Sequence, residues 1–90
     1  REDLSTKTVP RRILEGLFIE DALKLRSEIQ ARHGKVFKDK IMQKYFESFD
    51  WYKPDPKFTE NSLSKIERSN YAAILAYERK ATSMMDIIEG

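Results

Sequence analysis

The chain has 90 residues, of which 40% are hydrophobic and 36% charged, and its formal net charge is +2. This length suits one small domain with a single core, and 11% aromatic residues is too many for a disordered segment. The charge lacks the basic excess that marks many nucleic-acid-binding proteins, and the absence of cysteine excludes disulfides, zinc–thiolate sites, iron–sulfur clusters and cysteine nucleophiles.

No transmembrane segment is predicted. The longest apolar run covers residues 71–77, far short of the ~20 residues that a membrane helix needs. The chain begins at Arg1 without a methionine or a visible signal peptide, so we expect it to be part of a longer protein.

The N-terminal part is predicted to contain one short helix. Residues 1–9 are polar without a clear period, and we expect them to be mostly loose. Pro10 suits the first turn of a helix that carries the apolar residues Ile13, Leu14 and Leu17.

A stronger second helix is predicted to follow, with Asp21 as its cap. Its apolar residues recur at spacings of three and four, at Ala22, Leu25 and Ile29. Gly34 predicts its end, because a left-handed residue just past the last turn costs least as glycine.

A third helix is predicted over residues 38–49, and a loop over residues 50–58, where two prolines flank an aspartate. The apolar face of the helix is expected to hold Ile41, Met42, Tyr45, Phe46 and Phe49, with Lys38, Lys40 and Lys44 mostly away from it.

The last helix is predicted to begin with a capping box formed by Ser64 and Glu67. Leu63 and Ile66 begin its apolar stripe, and the helix is expected to end near Ala81. Beyond that it would fray through Met84 and Met85, while Ile87 and Ile88 could close the core, pair with another copy or lead to a neighbouring domain.

The chain has no useful strand alternation, internal repeat or low-complexity tract. The predicted fold is therefore all-α, a small single-domain bundle of three main helices with a short N-terminal helix and a Trp/Pro-containing loop. We divide it into an N-terminal segment with a short helix (1–20), a helical core (21–81) and a C-terminal tail or helix extension (82–90).

No catalytic constellation is evident. Ser27 and His33 are six positions apart on one helix and point about 120° away from each other, so they form no nucleophile–base pair. The single histidine has no spaced carboxylates to complete a metal site, and glycines only at 16, 34 and 90 cannot form a phosphate-binding loop. We predict a domain that is not an enzyme, without catalytic residues, metal or cofactor.

The stretch Arg32-His33-Gly34 is predicted to be structural. Glu28 and Arg32 are four apart, in the order that favours a helix-surface ion pair. His33 follows Ile29 by four positions and so faces the core side, as a partly buried, hydrogen-bonded side chain. Arg26 lies beside the apolar face and is expected to pair with an acid of the last helix, such as Glu67.

An aromatic cluster and a basic stretch are the other notable features. The aromatic cluster consists of Tyr45, Phe46, Phe49, Trp51, Tyr52 and Phe58. Most of these residues are expected to be core. The alternative is a flat binding face, in which Tyr52 would be the more exposed member. The basic residues, opposed only by Asp39, are interpreted as a solvated face, with phosphate binding as the alternative: Arg32, Lys35, Lys38, Lys40 and Lys44.

Three separated stretches, "LRSEIQARHGKVF", "YFESFDWYKP" and "LSKIERSNYAAILAYE", resemble the YARHG domain over about residues 21–78. The matching positions are Arg26, Glu28, Ile29, Ala31, Arg32, His33, Gly34, Phe37, Tyr45, Phe46, Trp51, Tyr52, Pro54, Leu63, Glu67 and Asn70. The chain departs from the pattern at Ser27, where the family usually has asparagine, and at Gln30, where it usually has tyrosine.

The resemblance implies a small bacterial module, presumed to be extracellular or periplasmic, that is attached to peptidases, kinases or cell-envelope proteins. The expected function is a non-catalytic binding or spacer domain; its partners would be other domains of a larger protein, with peptidoglycan or an envelope protein as further candidates. The alternatives are a nucleic-acid-binding domain that uses Lys35–Lys44, which we disfavour, and a hydrolase centred on His33.

The candidate residues predicted from the sequence form two sets. Those assigned to a structural motif are Arg26, Glu28, Arg32, His33, Gly34, Trp51, Glu67 and Asn70. The candidate ligand-binding residues are Arg32, Trp51, Tyr52 and Lys38.

Overall fold

The structure, a computed structural model, describes residues 4–16 and 18–89; for Arg11 and residues 84–89 it describes the backbone only. Within these residues the chain is helical, without strands, so the predicted all-α fold is confirmed. The elements are α1 (Arg11–Glu15), α2 (Ile19–Ala31), α3 (Lys40–Glu47), a single 3₁₀ turn (Glu60–Ser62) and α4 (Lys65–Glu89). Leu17, predicted to lie on the first helix, is outside the described residues.

The helix starts follow local chemistry, with one difference from the prediction. The α4 capping box is confirmed, because the Ser64 N–H donates to Glu67 Oε1 at 2.8 Å and the Glu67 N–H donates to Ser64 Oγ at 3.1 Å. Asp39 caps α3 by accepting from two backbone N–H groups. Asp21 as the cap of α2 is wrong: the helix begins at Ile19, which leaves Asp21 inside the first turn, where its charge still suits the helix dipole.

Helix α4 is longer than predicted. It continues to Glu89 rather than ending near Ala81, because no glycine or proline interrupts it. The predicted roles of the Met84, Met85, Ile87 and Ile88 side chains lie outside the described residues.

The buried residues form two clusters rather than the single core expected from chain length. The larger cluster joins the N-terminal segment, α2 and α4 around Leu4, Val9, Ala22, Leu25, Ile29, Leu63 and Ile74. The smaller cluster joins the end of α2, α3 and the following loop around Ala31, Phe46 and Tyr52, with five partly buried residues against them: Phe37, Met42, Tyr45, Phe49 and Trp51. A separate cluster forms because the chain turns sharply after α2 and places α3 beside the C-terminal end of that helix.

Two apolar assignments, Ile41 and Ile66, are wrong, whereas Phe58 belongs to the core as expected. Ile41 is 83% exposed and Ile66 is also exposed, because each lies in the first turn of its helix away from the buried face. Phe58 belongs to the larger cluster, because the loop carries it back from the aromatic residues to α2 and α4.

The N-terminal segment is not loose. Leu4 and Val9 are buried, and Asn70 of α4 holds the backbone between them. Asn70 Nδ2 donates to the carbonyls of Leu4 and Lys7 at 2.9 and 2.7 Å, and Asn70 Oδ1 accepts from the Val9 N–H at 2.7 Å. The polar composition concealed this docking, because a side chain 61 or more positions away supplies the hydrogen bonds.

Replacing Asn70 by alanine is expected to lower the free energy of unfolding by about 2 kcal/mol, because a buried N–H and two carbonyls lose their partner. Urea denaturation measures the loss, and amide exchange at Val9 should accelerate. Asn61→Ala, at an exposed position of the 3₁₀ turn, is the matched control and should change stability by less than about 0.5 kcal/mol. Continued protection of the Val9 amide would contradict the assignment.

Candidate functional site

The site begins where α2 ends. The Gly34 N–H donates to the carbonyl of Ala31 at 2.9 Å, and the Lys35 N–H donates to that of Gln30 at 3.3 Å, the pair of bonds that defines a Schellman helix end. Gly34 has φ +92°, as the predicted helix stop requires. Its carbonyl also accepts from the Asp55 N–H at 2.8 Å, so the helix end is tied directly to the loop after α3.

The histidine next to this turn bridges to α4. His33 Nε2 lies 2.9 and 3.0 Å from the two carboxylate oxygens of Glu67, and the imidazole is about one-third exposed. Glu67 is almost fully buried and also accepts from Ser64 in the capping box. Burial by itself raises the pKa of Glu67, but the Ser64 N–H and the hydrogen bond and charge of His33 outweigh it, so the pKa of Glu67 lies below its ordinary value.

The His33–Glu67 pair meets one requirement of the hydrolase alternative, a carboxylate within hydrogen-bond reach of an imidazole. A hydrolase would also need a nucleophile on the other ring nitrogen. Within residues 4–16 and 18–89, no hydroxyl makes a hydrogen bond to His33, and Ser64 Oγ contacts the backbone of Glu67 instead. This geometry suits a bridge between α2 and α4.

Arg26 forms a second bridge between these helices, about three turns further along α4 than expected. Its Nε and Nη2 donate to the Glu78 carboxylate at 2.6 and 3.2 Å, and its Nη1 donates to the Tyr71 hydroxyl at 3.1 Å. The hydrogen bond to Glu78 outweighs the effect of burial and raises the pKa of Arg26. The partner is an acid of the last helix, as expected, but it is Glu78 rather than Glu67, because the Glu67 carboxylate is hydrogen-bonded to His33.

The exposed end of the smaller cluster is a stack of three side chains. The Arg32 guanidinium lies 3.9 Å from the centre of the Trp51 ring, and Trp51 stacks on Phe49 at 5.3 Å between centroids. Arg32 also approaches Glu28 at 3.5 Å, as the spacing predicted. Because Arg32 and Phe49 both pack against Trp51, little of the indole is left as a flat binding face in this structure.

Tyr52, expected to be the more exposed aromatic residue, is only 8% exposed. Its hydroxyl donates to the carbonyl of Lys35 at 2.7 Å and accepts from Gln43 Nε2 at 3.1 Å. The prediction is wrong because the loop turns back under α3, where both the ring and its hydroxyl find partners. Tyr52 therefore offers little surface to a ligand.

Replacing Arg32 by alanine is expected to cost about 0.5–1 kcal/mol, the usual worth of an exposed cation–π contact. Trp51 is the single tryptophan of the chain, so acrylamide quenching of fluorescence reports this position alone and should increase. Arg79→Ala on the exposed face of α4 makes the same charge change and should leave quenching unaltered. An Arg32→Ala protein with wild-type quenching would show that the stack does not persist in solution.

The five basic residues of the basic stretch have different neighbours, although Lys35 and Lys38 line the same groove. Arg32 stacks on Trp51, and Lys35 approaches Glu60 at 3.9 Å and the Phe37 ring at 5.4 Å. Lys40 and Lys44 are exposed on α3, whereas Lys38 borders a groove.

This groove, with a volume of about 380 Å³, lies between α2, the segment 35–39, the start of α3 and Tyr71 of α4. Of the four candidate ligand-binding residues, it includes Lys38 alone; Arg32 and Trp51 lie elsewhere in the stack and Tyr52 is buried. The residues of the groove that sequence reasoning missed are Leu23, Ser27, Val36 and Met42. Of these, Val36 could have been found from the sequence, because it is an apolar residue in a stretch otherwise rich in lysine.

The described part of the chain contains no evident cluster of metal ligands. Among the residues at 4–16 and 18–89, no group of three potential His, Asp or Glu ligands converges. The described helices likewise include none that combines the length and apolarity needed to cross a membrane.

The comparisons with known proteins agree with the motif. No curated protein and no solved structure gives a significant match. The family model of the YARHG domain matches residues 2–79, which include the docked N-terminal segment as well as the helix end, the aromatic loop and most of α4. Because this match spans most of the sequence, the chain belongs to the YARHG domain family.

Proposed function

We propose that this YARHG domain is a non-catalytic accessory module, for binding or spacing, of a larger bacterial protein that works in the cell envelope or outside the cell. The observation that carries the proposal is the use of the polar motif residues as internal connections. His33 and Glu67 join α2 to α4, Asn70 holds the N-terminal segment, and Gly34 receives the loop through Asp55.

These connections support a non-catalytic role because a catalytic group needs a lone pair or proton that a substrate can reach. The Glu67 carboxylate is almost fully buried and accepts from both His33 and Ser64. The Arg26 guanidinium is held by Glu78 and Tyr71. Buried charges are tolerated when they are paired in this way, and the pairs specify how the helices dock.

For the proposed location and partners, the support is family membership alone. A module presumed to lie outside the cytoplasm would meet peptidoglycan, envelope proteins and the other domains of its own polypeptide. Nucleic acid is the less supported partner, because the basic stretch is divided among the Trp51 stack, the Glu60 contact, the groove and α3.

Replacing His33 by alanine separates this proposal from the hydrolase alternative. We expect a loss of about 1–3 kcal/mol in the free energy of unfolding, because Glu67 loses its partner on α2. His33→Gln, which keeps an amide donor, should lose less. A variant with unchanged stability that abolished a peptidoglycan- or peptide-hydrolysing activity of the wild-type chain would overturn the non-catalytic assignment.

The envelope role is tested by sedimenting the chain with purified peptidoglycan sacculi at near-physiological salt, about 0.15 M. We expect saturable binding without release of soluble fragments. Duplex DNA is the comparison, and its binding should be weak and fall steeply with salt. Fragment release would contradict the non-catalytic role, and tight salt-dependent DNA binding without sacculus binding would favour the nucleic-acid alternative.

A further inference from the structure

We propose that the groove bordered by Lys38 binds a short peptide that presents a carboxylate next to an apolar side chain. This inference rests on the proposed binding role of the domain and names the site and the chemical class of its ligand. The juxtaposition that carries it is an apolar wall, a cationic rim and a serine hydroxyl in one groove.

The wall of the groove suits an apolar side chain. Leu23 of α2, Met42 of α3 and the segment residues Val36 and Phe37 line it. Val36 is half-exposed although it is bordered by apolar neighbours, so occupation of the groove would remove it from water. The volume of about 380 Å³ lies at the small end of the range for ligand pockets and suits a peptide of two or three residues.

The rim of the groove suits a carboxylate. Lys38 is exposed and makes no ion pair with any residue of the described ranges 4–16 and 18–89, while Lys35 has only the long approach of 3.9 Å to Glu60. The one acid on the rim, Asp39, directs its carboxylate to the first N–H groups of α3. Arg26 is neutralised by Glu78, so the two lysines are the cations left to receive an anion.

Inside the groove Ser27 provides a polar contact. Its side chain lines the groove although the residue is only 3% exposed. A peptide N–H or C=O is complementary to a hydroxyl, which both donates and accepts.

These features favour a peptide over a nucleic acid. A nucleic-acid strand needs a row of cations and exposed aromatic faces, whereas this groove has two lysines at one edge and apolar walls. A C-terminal apolar residue suits this arrangement. Its carboxylate matches the two lysines, its side chain matches the apolar wall and the preceding amide matches Ser27.

The test is a titration of the 90-residue chain, monitored by amide NMR, with acetyl-Ala-Leu as the free acid and separately as its C-terminal amide. The free acid is expected to give saturable shifts centred on Ser27, Val36, Lys38 and Met42. The amide, which lacks the charge but keeps the leucine, should bind about tenfold more weakly. Equal binding of the two forms, or shifts confined to Lys40 and Lys44, would overturn the proposal.

Two exposed substitutions probe the groove without threatening the fold. Lys38→Glu and Val36→Asp should each weaken binding of the free acid at least about tenfold, because they repel the carboxylate or remove the apolar contact. Lys44→Glu makes the same charge change on the exposed face of α3, outside the groove, and should retain at least half the wild-type affinity. Equal losses in Lys38→Glu and Lys44→Glu would mean non-specific attraction and would overturn the site.

The outcomes separate this inference from the proposed function. Sacculus binding that survives in Lys38→Glu and Val36→Asp, together with no response to the dipeptide, would leave the accessory role standing and remove the groove as its site. Dipeptide binding in the groove without sacculus binding would keep the groove and direct the search to a protein partner. Hydrolysis of the dipeptide amide bond would contradict the proposed function.

Discussion

Replacing Gly34 by alanine is expected to destabilise the domain by about 3–5 kcal/mol, through backbone strain and overpacking together. With φ at +92°, the backbone at this residue is one that L side chains rarely adopt. A Cβ atom would also lie 2.6 Å from Asp55 Cβ and 2.8 Å from both the Asp55 nitrogen and the Lys53 carbonyl oxygen. The helix end cannot relax without breaking its hydrogen bond to the loop, so the loss would be a large part of the stability of so small a domain.

Gly16→Ala is the matched control for this prediction. Gly16 has φ −94°, and its nearest neighbours would lie 3.7 Å or more from an added Cβ. In chemical denaturation, the free energy of unfolding of Gly16→Ala should therefore lie within about 0.5 kcal/mol of the wild-type value or slightly above it. Equal midpoints for the two variants would show that the contact between the helix end and the loop is not maintained in solution.

Replacing Glu67 by leucine is expected to cost about 2–4 kcal/mol. The change removes the acceptor of His33 and the acceptor of the Ser64 N–H at once, so α4 loses its capping box and its bridge to α2. Glu67→Gln keeps a carbonyl oxygen for one of these donors but loses the charge. Its free energy of unfolding should therefore lie between those of wild type and Glu67→Leu. Thermal and urea denaturation measure the series. Equal stability of all three proteins would contradict the bridge.

The same residue predicts a response to acid. The pKa of Glu67 in the folded protein lies below its ordinary value of 4.5, so the folded state binds fewer protons than the unfolded state in this range. The stabilisation is therefore fully present above about pH 4.5 and is lost as the pH falls through the folded pKa. The stability difference between wild type and Glu67→Gln should shrink as the pH falls below about 4.5. A difference that grew instead would contradict the lowered pKa of Glu67.

The structure explains why the family motif is scattered along the chain. The Schellman turn at Gly34 contacts the loop at Asp55, and the residue before it, His33, contacts Glu67 near the start of α4. Asn70, one turn further along, holds the N-terminal segment. The motif therefore describes a network that joins four segments, and two further matching positions, Arg26 and Phe37, line the groove.

Local chemistry made several features predictable from the sequence. The Ser64–Glu67 capping box, the helix stop at Gly34 and the Glu28–Arg32 approach each involve residues within five positions of one another. The all-helical class follows from apolar spacing in the same way. For these features the partners are brought together by the helix or turn itself, so no knowledge of the tertiary arrangement is needed.

Only the tertiary structure decided the rest. The pairing of Arg26 with Glu78 rather than Glu67, the burial of Tyr52 and the docking of residues 4–9 on Asn70 all depend on how α2, α3 and α4 lie against one another. The same holds for the groove, whose walls come from four separate segments. The sequence alone determined the helical class, the helix stop at Gly34, the capping box of α4 and the family. Which partner each polar side chain met was set by distances between residues far apart in the chain, on which local propensity has no influence.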